Sequence, residues 1–220
     1  MSHTLTALSA TLPLVSGWSV HSMWMRRRIE AARRDPLTGL WTRDPFEERA
    51  RKSLSHKCQR AVLVLDLNRF KGINDSYGHA AGDAVIQATG QRLGRWVEEH
   101  AGVAGRLGGD EFAAITSVDG NGDTATDNLR SKLGDLLDRL QAPVEFDGQQ
   151  IDVYASIGAA RHWRTSTADL SALLRLADGQ MYEAKQSGGG WRLAHPLAVP
   201  AMSTVNGRRD GRPGTRAEVA

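Results

Sequence analysis

The chain has 220 residues, 40% of them hydrophobic and 24% charged, which excludes wholesale disorder and fibrous structure and suits one domain with flanking segments. The net charge of +3 hides an asymmetry: residues 1–60 carry 11 Lys and Arg against 5 Asp and Glu, and the rest carry 17 against 20. The basic excess therefore precedes the regular part of the chain and does not form the basic stripe that marks a nucleic-acid-binding domain. A single cysteine, Cys58, rules out an intramolecular disulfide and fits a reducing compartment.

In chain order, the stretch from Thr4 to Met25 has no formal charge and ends in Arg26-Arg27-Arg28. It is long enough to cross a bilayer core of about 30 Å, and the arginines would hold the following domain on the cytoplasmic side. Its serines, Pro13 and His21 dilute it, so a membrane anchor, a helix packed on a partner and a frayed tail all stay open. Residues 26–34 predict a charged helix running into Asp35-Pro36. A helix is expected at Arg43–Leu54. Ala61–Leu67 (AVLVLDL) is a short apolar run and predicts a buried strand. Apolar residues at helical spacing predict a helix within Gly78–Glu99. Val103–Leu107 and Phe112–Ser117 predict a hairpin around Gly108-Gly109-Asp110-Glu111. Leu129 to Leu140 predicts an amphipathic helix, Ile151–Gly158 a strand, and Leu170 to Ala184 a last helix. Residues 195–220, with proline, glycine and arginine and no apolar period, predict a disordered basic tail. The divisions are thus 1–33, 34–194 and 195–220. The middle reads β-α-β-β-α-β, an α+β class with a ferredoxin-like core, an arrangement that hosts many functions and decides none.

Two places carry chemistry. Asp66 ends an otherwise apolar strand, where a sheet meets solvent, and alternation puts Asn68 on the same face. The hairpin tip joins two glycines, which allow positive φ and close backbone approach, to the adjacent carboxylates Asp110 and Glu111. If pairing sets this tip beside the end of the first strand, Asp66 and Asp110 converge. Such hard oxygen ligands suit Mg²⁺, which takes one or two carboxylates and completes its shell with water and phosphate oxygens. A strand-end turn and a polar hairpin without a ligand are the plain alternatives.

The strings RDPLTGL (34–40), LDLNRFKGINDSYGHAAGD (65–83), RLGGDEF (106–112), SIG (156–158) and ADGQMYEAK (177–185), in this order, resemble the GGDEF-domain family of diguanylate cyclases. The resemblance implies a sheet like the nucleotidyl-cyclase and polymerase palm. It also implies a nucleotidyltransferase that joins two GTP, one on each subunit of a homodimer, into cyclic di-GMP with release of two pyrophosphates. By the same resemblance Asp66, the Leu67 carbonyl, Asp110 and Glu111 would hold Mg²⁺ (or Mn²⁺). Asp110 and Glu111 would be the catalytic carboxylates, with Glu111 assisting deprotonation of the attacking 3′-hydroxyl. Asn74 and Asp83 would read the guanine edge, and Gly108 and Gly109 would let substrate lie against the backbone. Phe70, Lys71 and Lys185 would hold the triphosphate. No P-loop is present, and no nucleic-acid partner is expected.

The chain departs from the family pattern in three places. Gly189 stands where an arginine is usual after Lys185, which predicts weaker GTP binding. Asn68 replaces a frequent aspartate. The inhibitory Arg-x-x-Asp product site is absent, since Glu98-Glu99-His100-Ala101-Gly102-Val103 stands there and Arg95-Trp96-Val97-Glu98 is out of register. Product inhibition through that site is expected to be missing. A catalytically idle module that binds GTP or cyclic di-GMP as a receptor is the alternative. The intact Gly108-Gly109-Asp110-Glu111 tip and the missing product site favour the enzyme over it.

Overall fold

The computed structural model describes Trp24 and residues 33–55, 58–162 and 169–194. The expectations for the apolar segment Thr4–Met25 (Trp24 apart), the charged helix over 26–34 (residues 33 and 34 apart) and the tail 195–220 lie outside the described residues. Among the described residues no helix is long and apolar enough to cross a membrane.

Helix α1 (Arg43–Leu54) precedes strand β1 (Arg60–Leu67), the short helix α2 (Phe70–Tyr77) and the long helix α3 (His79–Glu99). The hairpin β2 (Val103–Gly108) and β3 (Glu111–Ser117) follows, then α4 (Gly122–Gln141), the small hairpin β4 (Val144–Phe146) and β5 (Gln149–Ile151), β6 (Ala155–His162), α5 (Leu170–Gln186) and β7 (Gly190–Leu193). The main sheet has the order β2-β3-β1-β6-β7. Its first four strands have ferredoxin-like order, antiparallel throughout, and β7 adds a parallel edge beside β6.

Strand β1 is central and buried on both faces, which is why it reads as a continuous apolar run. Its odd residues, Ala61, Leu63, Leu65 and Leu67, join one core with Leu93 and Trp96 of α3 and Leu129 and Leu133 of α4. Its even residues, Val62 and Val64, join a second core with Phe46 of α1 and Leu173, Ala177 and Met181 of α5. Trp96 is fully buried and donates its indole N–H to Asp135 at 3.0 Å, so its polar edge is satisfied. Gly158 of β6 is the contact point of α5: a Cβ there would lie 1.9 Å from the Ala177 carbonyl oxygen.

One expectation is corrected, and one further element appears. The segment Ile151–Gly158 is not one strand: Ile151 ends β5 and Ala155 begins β6. Between them the Tyr154 carbonyl turns to accept the Asn68 amide at 2.7 Å. After β1, Asn68 and Arg69 lead into α2, a helix with no buried residue and so no apolar stripe to announce it.

Before α1 the chain forms a strap. The Asp35 amide donates to the Leu40 carbonyl at 2.8 Å, and Arg34 and Trp41 form an antiparallel bridge. Trp41 also pairs in parallel with Gly105 of β2, and its carbonyl accepts the Arg106 amide at 2.8 Å. The Trp41 ring lies between the guanidinium groups of Arg34 and Arg49, 3.7 and 3.3 Å from its centroid, a geometry in which cation and π-face attract.

Candidate active site

The antiparallel register brings the C-terminal end of β1 to the start of β3 and the start of β6. Asp66 pairs with Glu111 on one side and with Ser156 on the other. The Leu67 amide reaches the Asp110 carbonyl at 3.4 Å. The expected convergence of Asp66 with Asp110 and Glu111 is therefore a matter of strand pairing, fixed by the sheet.

Asp66 lies on the even face of β1, toward α5, and is only 7% exposed. Lys185, in the last turn of α5, donates to its Oδ1 at 2.5 Å. Burial pushes the Asp66 carboxyl up, Asp110 and Glu111 push it further, and the Lys185 ammonium opposes them without cancelling the rise. Three carboxylates crowded at one sheet end call for more positive charge than one partly exposed lysine supplies. Oxygen donors of this kind fit a divalent cation that carries phosphate oxygens in the rest of its shell. Among the described residues no group of three or more His, Cys, Asp and Glu side chains is arranged to hold a metal ion by itself.

The tip between β2 and β3 is built from glycine because its backbone demands it. Gly108 has φ of 148° and Gly109 of 55°, and nothing stands within 4 Å of a Cβ at either. The β2–β3 pairing shifts register between Arg106 and Gly108, leaving Leu107 as a bulge.

Beyond Asp66, the Asn68 amide is held by the Tyr154 carbonyl, and its side-chain Oδ1 accepts the Ser156 hydroxyl at 2.8 Å. Ser156 is thus a support that the string SIG marks without explaining. Arg69 turns the chain into α2 through a left-handed φ of 56°. The first intrahelical donor is Gly72, to the Arg69 carbonyl at 2.8 Å, so the amides of Phe70 and Lys71 stand ahead of the helix ladder, the position from which a helix start receives anions.

Asn74 on α2 packs against Gly82 of α3, the residue before Asp83. A Cβ at Gly82 would lie 2.0 Å from the Asn74 Oδ1 and 3.1 Å from the Phe70 Cζ, so Asn74 crosses α3 at the residue before Asp83. Asp83 is exposed and Asn74 half-buried, as suits a pair that offers a carboxylate and an amide to the edge of a base.

Gly189 has φ of 119°, within a turn of three consecutive positive-φ glycines, Gly188 to Gly190. A Cβ at Gly189 would lie 2.8 Å from the Asn68 Nδ2. Two of the three departures from the family pattern, Asn68 and Gly189, are therefore neighbours. Arg192 of β7 donates to the Ser187 hydroxyl at 2.9 Å and is exposed.

Sequence reasoning assigned no role to Asp35 and Arg106. The Arg106 Nε and Nη2 donate to the Gly109 carbonyl at 3.0 and 2.8 Å, and Nη1 donates to both Asp35 oxygens at 3.1 Å. The strings RDPLTGL and RLGGDEF contained both residues.

A palm-like mixed sheet with paired carboxylates at one strand end defines a nucleotidyl-cyclase type of domain. Residues 32–190 match the family "Diguanylate cyclase, GGDEF domain", and the chain belongs to that family. It is 43% identical over 178 residues to an uncharacterized 19.3 kDa protein of Streptomyces ambofaciens, covering 80% of this chain and 91% of that one. It is 40% identical over 176 residues to the diguanylate cyclase TpbB of Pseudomonas aeruginosa, covering 78% of this chain and 39% of TpbB. The solved GGDEF domain of TpbB superposes with a TM-score of 0.64 at 38% identity, covering 74% of this chain and 94% of that domain. The chain thus spans about two-fifths of TpbB, and the likeness is to its GGDEF domain.

Proposed function

We propose that the chain is a diguanylate cyclase, working on the cytoplasmic side, which joins two GTP into cyclic di-GMP with release of two pyrophosphates, one GTP being held by each subunit of a homodimer. The observation that carries this reading is the strand register that sets the intact Gly108-Gly109-Asp110-Glu111 tip against buried Asp66. In this reading Asp66, the Leu67 carbonyl, Asp110 and Glu111 hold Mg²⁺ (or Mn²⁺), which supplies charge neutralisation at the phosphates. Asn74 and Asp83 hold the guanine edge. The Phe70 and Lys71 amides and the Lys71 and Lys185 ammonium groups take the triphosphate, with Lys185 moving from Asp66 to the phosphates as substrate arrives. Glu111 accepts the proton of the 3′-hydroxyl as its oxygen attacks the α-phosphorus of the other GTP and pyrophosphate leaves. Phosphoryl-type transfer asks mainly for positioning and charge neutralisation, which this set of residues provides.

The test is the full chain with GTP and Mg²⁺, followed by chromatography, beside Glu111→Gln. Cyclic di-GMP and two equivalents of pyrophosphate from the wild type, reduced by about a hundredfold or more in the variant, are expected. Bound GTP without product would replace this reading with a nucleotide receptor.

A further inference from the structure

The turn at Gly108 and Gly109 has no side chains to pack, and the Leu107 bulge loosens its pairing to β2. Strand pairing holds the residues on either side, Gly108 against Glu111 and the Asp110 carbonyl against the Leu67 amide, and leaves the Gly109 carbonyl to another partner. What fixes it comes from the strap. The Arg106 guanidinium grips the Gly109 carbonyl with two N–H groups and turns its third nitrogen to Asp35. Both side chains of this ion pair are largely buried, 18% and 17% exposed. Asp35 is in turn immobilised by its own turn, its Oδ1 accepting the Thr38 amide at 2.9 Å and hydroxyl at 2.7 Å. Thr38 is wedged against α3, where a Cβ on Gly90 would lie 2.5 Å from its own Cβ. From the other side Arg43, the first residue of α1, donates to the Leu107 carbonyl at 3.3 Å.

We infer that Arg106, oriented by Asp35, is a positioning residue: it fixes the Gly109 carbonyl and through it the Asp110 and Glu111 carboxylates for the transfer reaction. The inference rests on the cyclase reading for its kinetic consequence and on geometry alone for its structural one. A lysine cannot replace Arg106, because a single ammonium cannot hold the planar fork that spans a carbonyl and a carboxylate. The guanine contacts and the lysine contacts to phosphate proposed above lie on α2, α3 and α5, so loss of the clamp acts first on the reacting geometry, and the tip's own share in holding substrate leaves a change in KM for GTP that is smaller than the fall in kcat. A small misplacement of reacting groups costs rate out of proportion to its size.

The experiment uses the full chain and the variants Arg106→Ala, Arg106→Lys, Asp35→Asn and the double variant Asp35→Asn with Arg106→Ala. Steady-state kinetics with GTP and Mg²⁺ are joined to hydrogen–deuterium exchange over residues 107–111. Arg130→Ala, which breaks an exposed ion pair with Asp127, serves as control. In Arg106→Ala and Arg106→Lys, kcat is expected to fall roughly tenfold to a hundredfold with a smaller change in KM for GTP. Exchange at the tip speeds up selectively, and the double variant is no worse than Arg106→Ala. Asp35→Asn keeps the shape of the turn, so it decides the matter should Arg106→Ala fold poorly. Wild-type kcat and wild-type tip exchange in Asp35→Asn and Arg106→Lys would overturn the inference, as would losses that add in the double variant. A wild type that makes no product, with tip exchange still raised in the variants, would sink the cyclase reading and leave the clamp standing.

Discussion

Asp66 and Asp35 are two carboxylates with opposite fates, and the difference lies in what surrounds them. Asp66 is pushed up by burial and by the neighbouring Asp110 and Glu111, against the pull of Lys185, which suits a group waiting for a stronger cation. For Asp35, burial also raises the carboxyl, but the Thr38 hydroxyl and amide and the Arg106 guanidinium outweigh it and hold the group below its ordinary value near 3.8. A depressed carboxyl stabilises the fold above the unfolded-state value and loses that contribution as pH falls through the folded one. The wild type should therefore exceed Asp35→Asn in stability at neutral pH by about 1–3 kcal/mol, and this gap should close as pH drops below the usual carboxylate range. Thermal melts of both proteins from neutral pH to about pH 3 check it. A gap that stays constant over that range would show that the Asp35 charge contributes nothing.

The turn from α5 into β7 shows how an element constrains chemistry. Gly188 to Gly190 all have positive φ, the Gly189 amide closes the helix by donating to the Ala184 carbonyl at 2.9 Å, and Asn68 fills the space beside Gly189. An arginine there is more than a missing phosphate contact restored; it must enter a left-handed conformation with its Cβ against the Asn68 amide. Gly189→Arg is expected to lower stability by about 1–3 kcal/mol and to bring no tighter GTP binding. A variant with an unchanged melting temperature and a lower KM for GTP would refute this. Most of the scaffold around this turn was legible from period and punctuation: α1 at Arg43–Leu54, β1 as an apolar run, the glycine-tipped hairpin, and the leucines of α4. Helix α2 was not, because none of its residues is buried and periodicity reports burial. The β4–β5 hairpin escaped because its strands have three residues each around Asp147-Gly148, too few to show alternation. The convergence of Asp66 with the tip was legible because one register decides it. The Asp35–Arg106 clamp was not, since its partners lie 71 positions apart and no local pattern joins them.

At the scale of the molecule, the two cores lie on opposite faces of one sheet and leave the ends of β1, β3 and β6 as the place where backbone, carboxylates and helix termini meet solvent. In the proposed reading one such end would present one guanine pair, Asn74 with Asp83, and one catalytic tip, whereas the proposed product contains two guanosines and two new phosphodiester bonds. On that reading two copies facing each other would supply both halves, each Glu111 serving the 3′-hydroxyl of the GTP bound to its own subunit. The proposal then makes a prediction about mixtures. In a dimer of one wild-type and one Glu111→Gln subunit, one 3′-oxygen is still activated and the other is not. One phosphodiester bond forms, one pyrophosphate leaves, and the reaction stops at a linear dinucleotide that keeps its triphosphate. Mixing full-length wild type with increasing Glu111→Gln, allowing subunits to exchange, should lower cyclic di-GMP made per wild-type chain in proportion to the wild-type fraction. The linear product should accumulate alongside. Chromatography of the nucleotides resolves both. Cyclic product per wild-type chain that stays constant across the mixtures, with no linear species, would mean that each subunit completes the reaction alone and would remove the dimer from the mechanism.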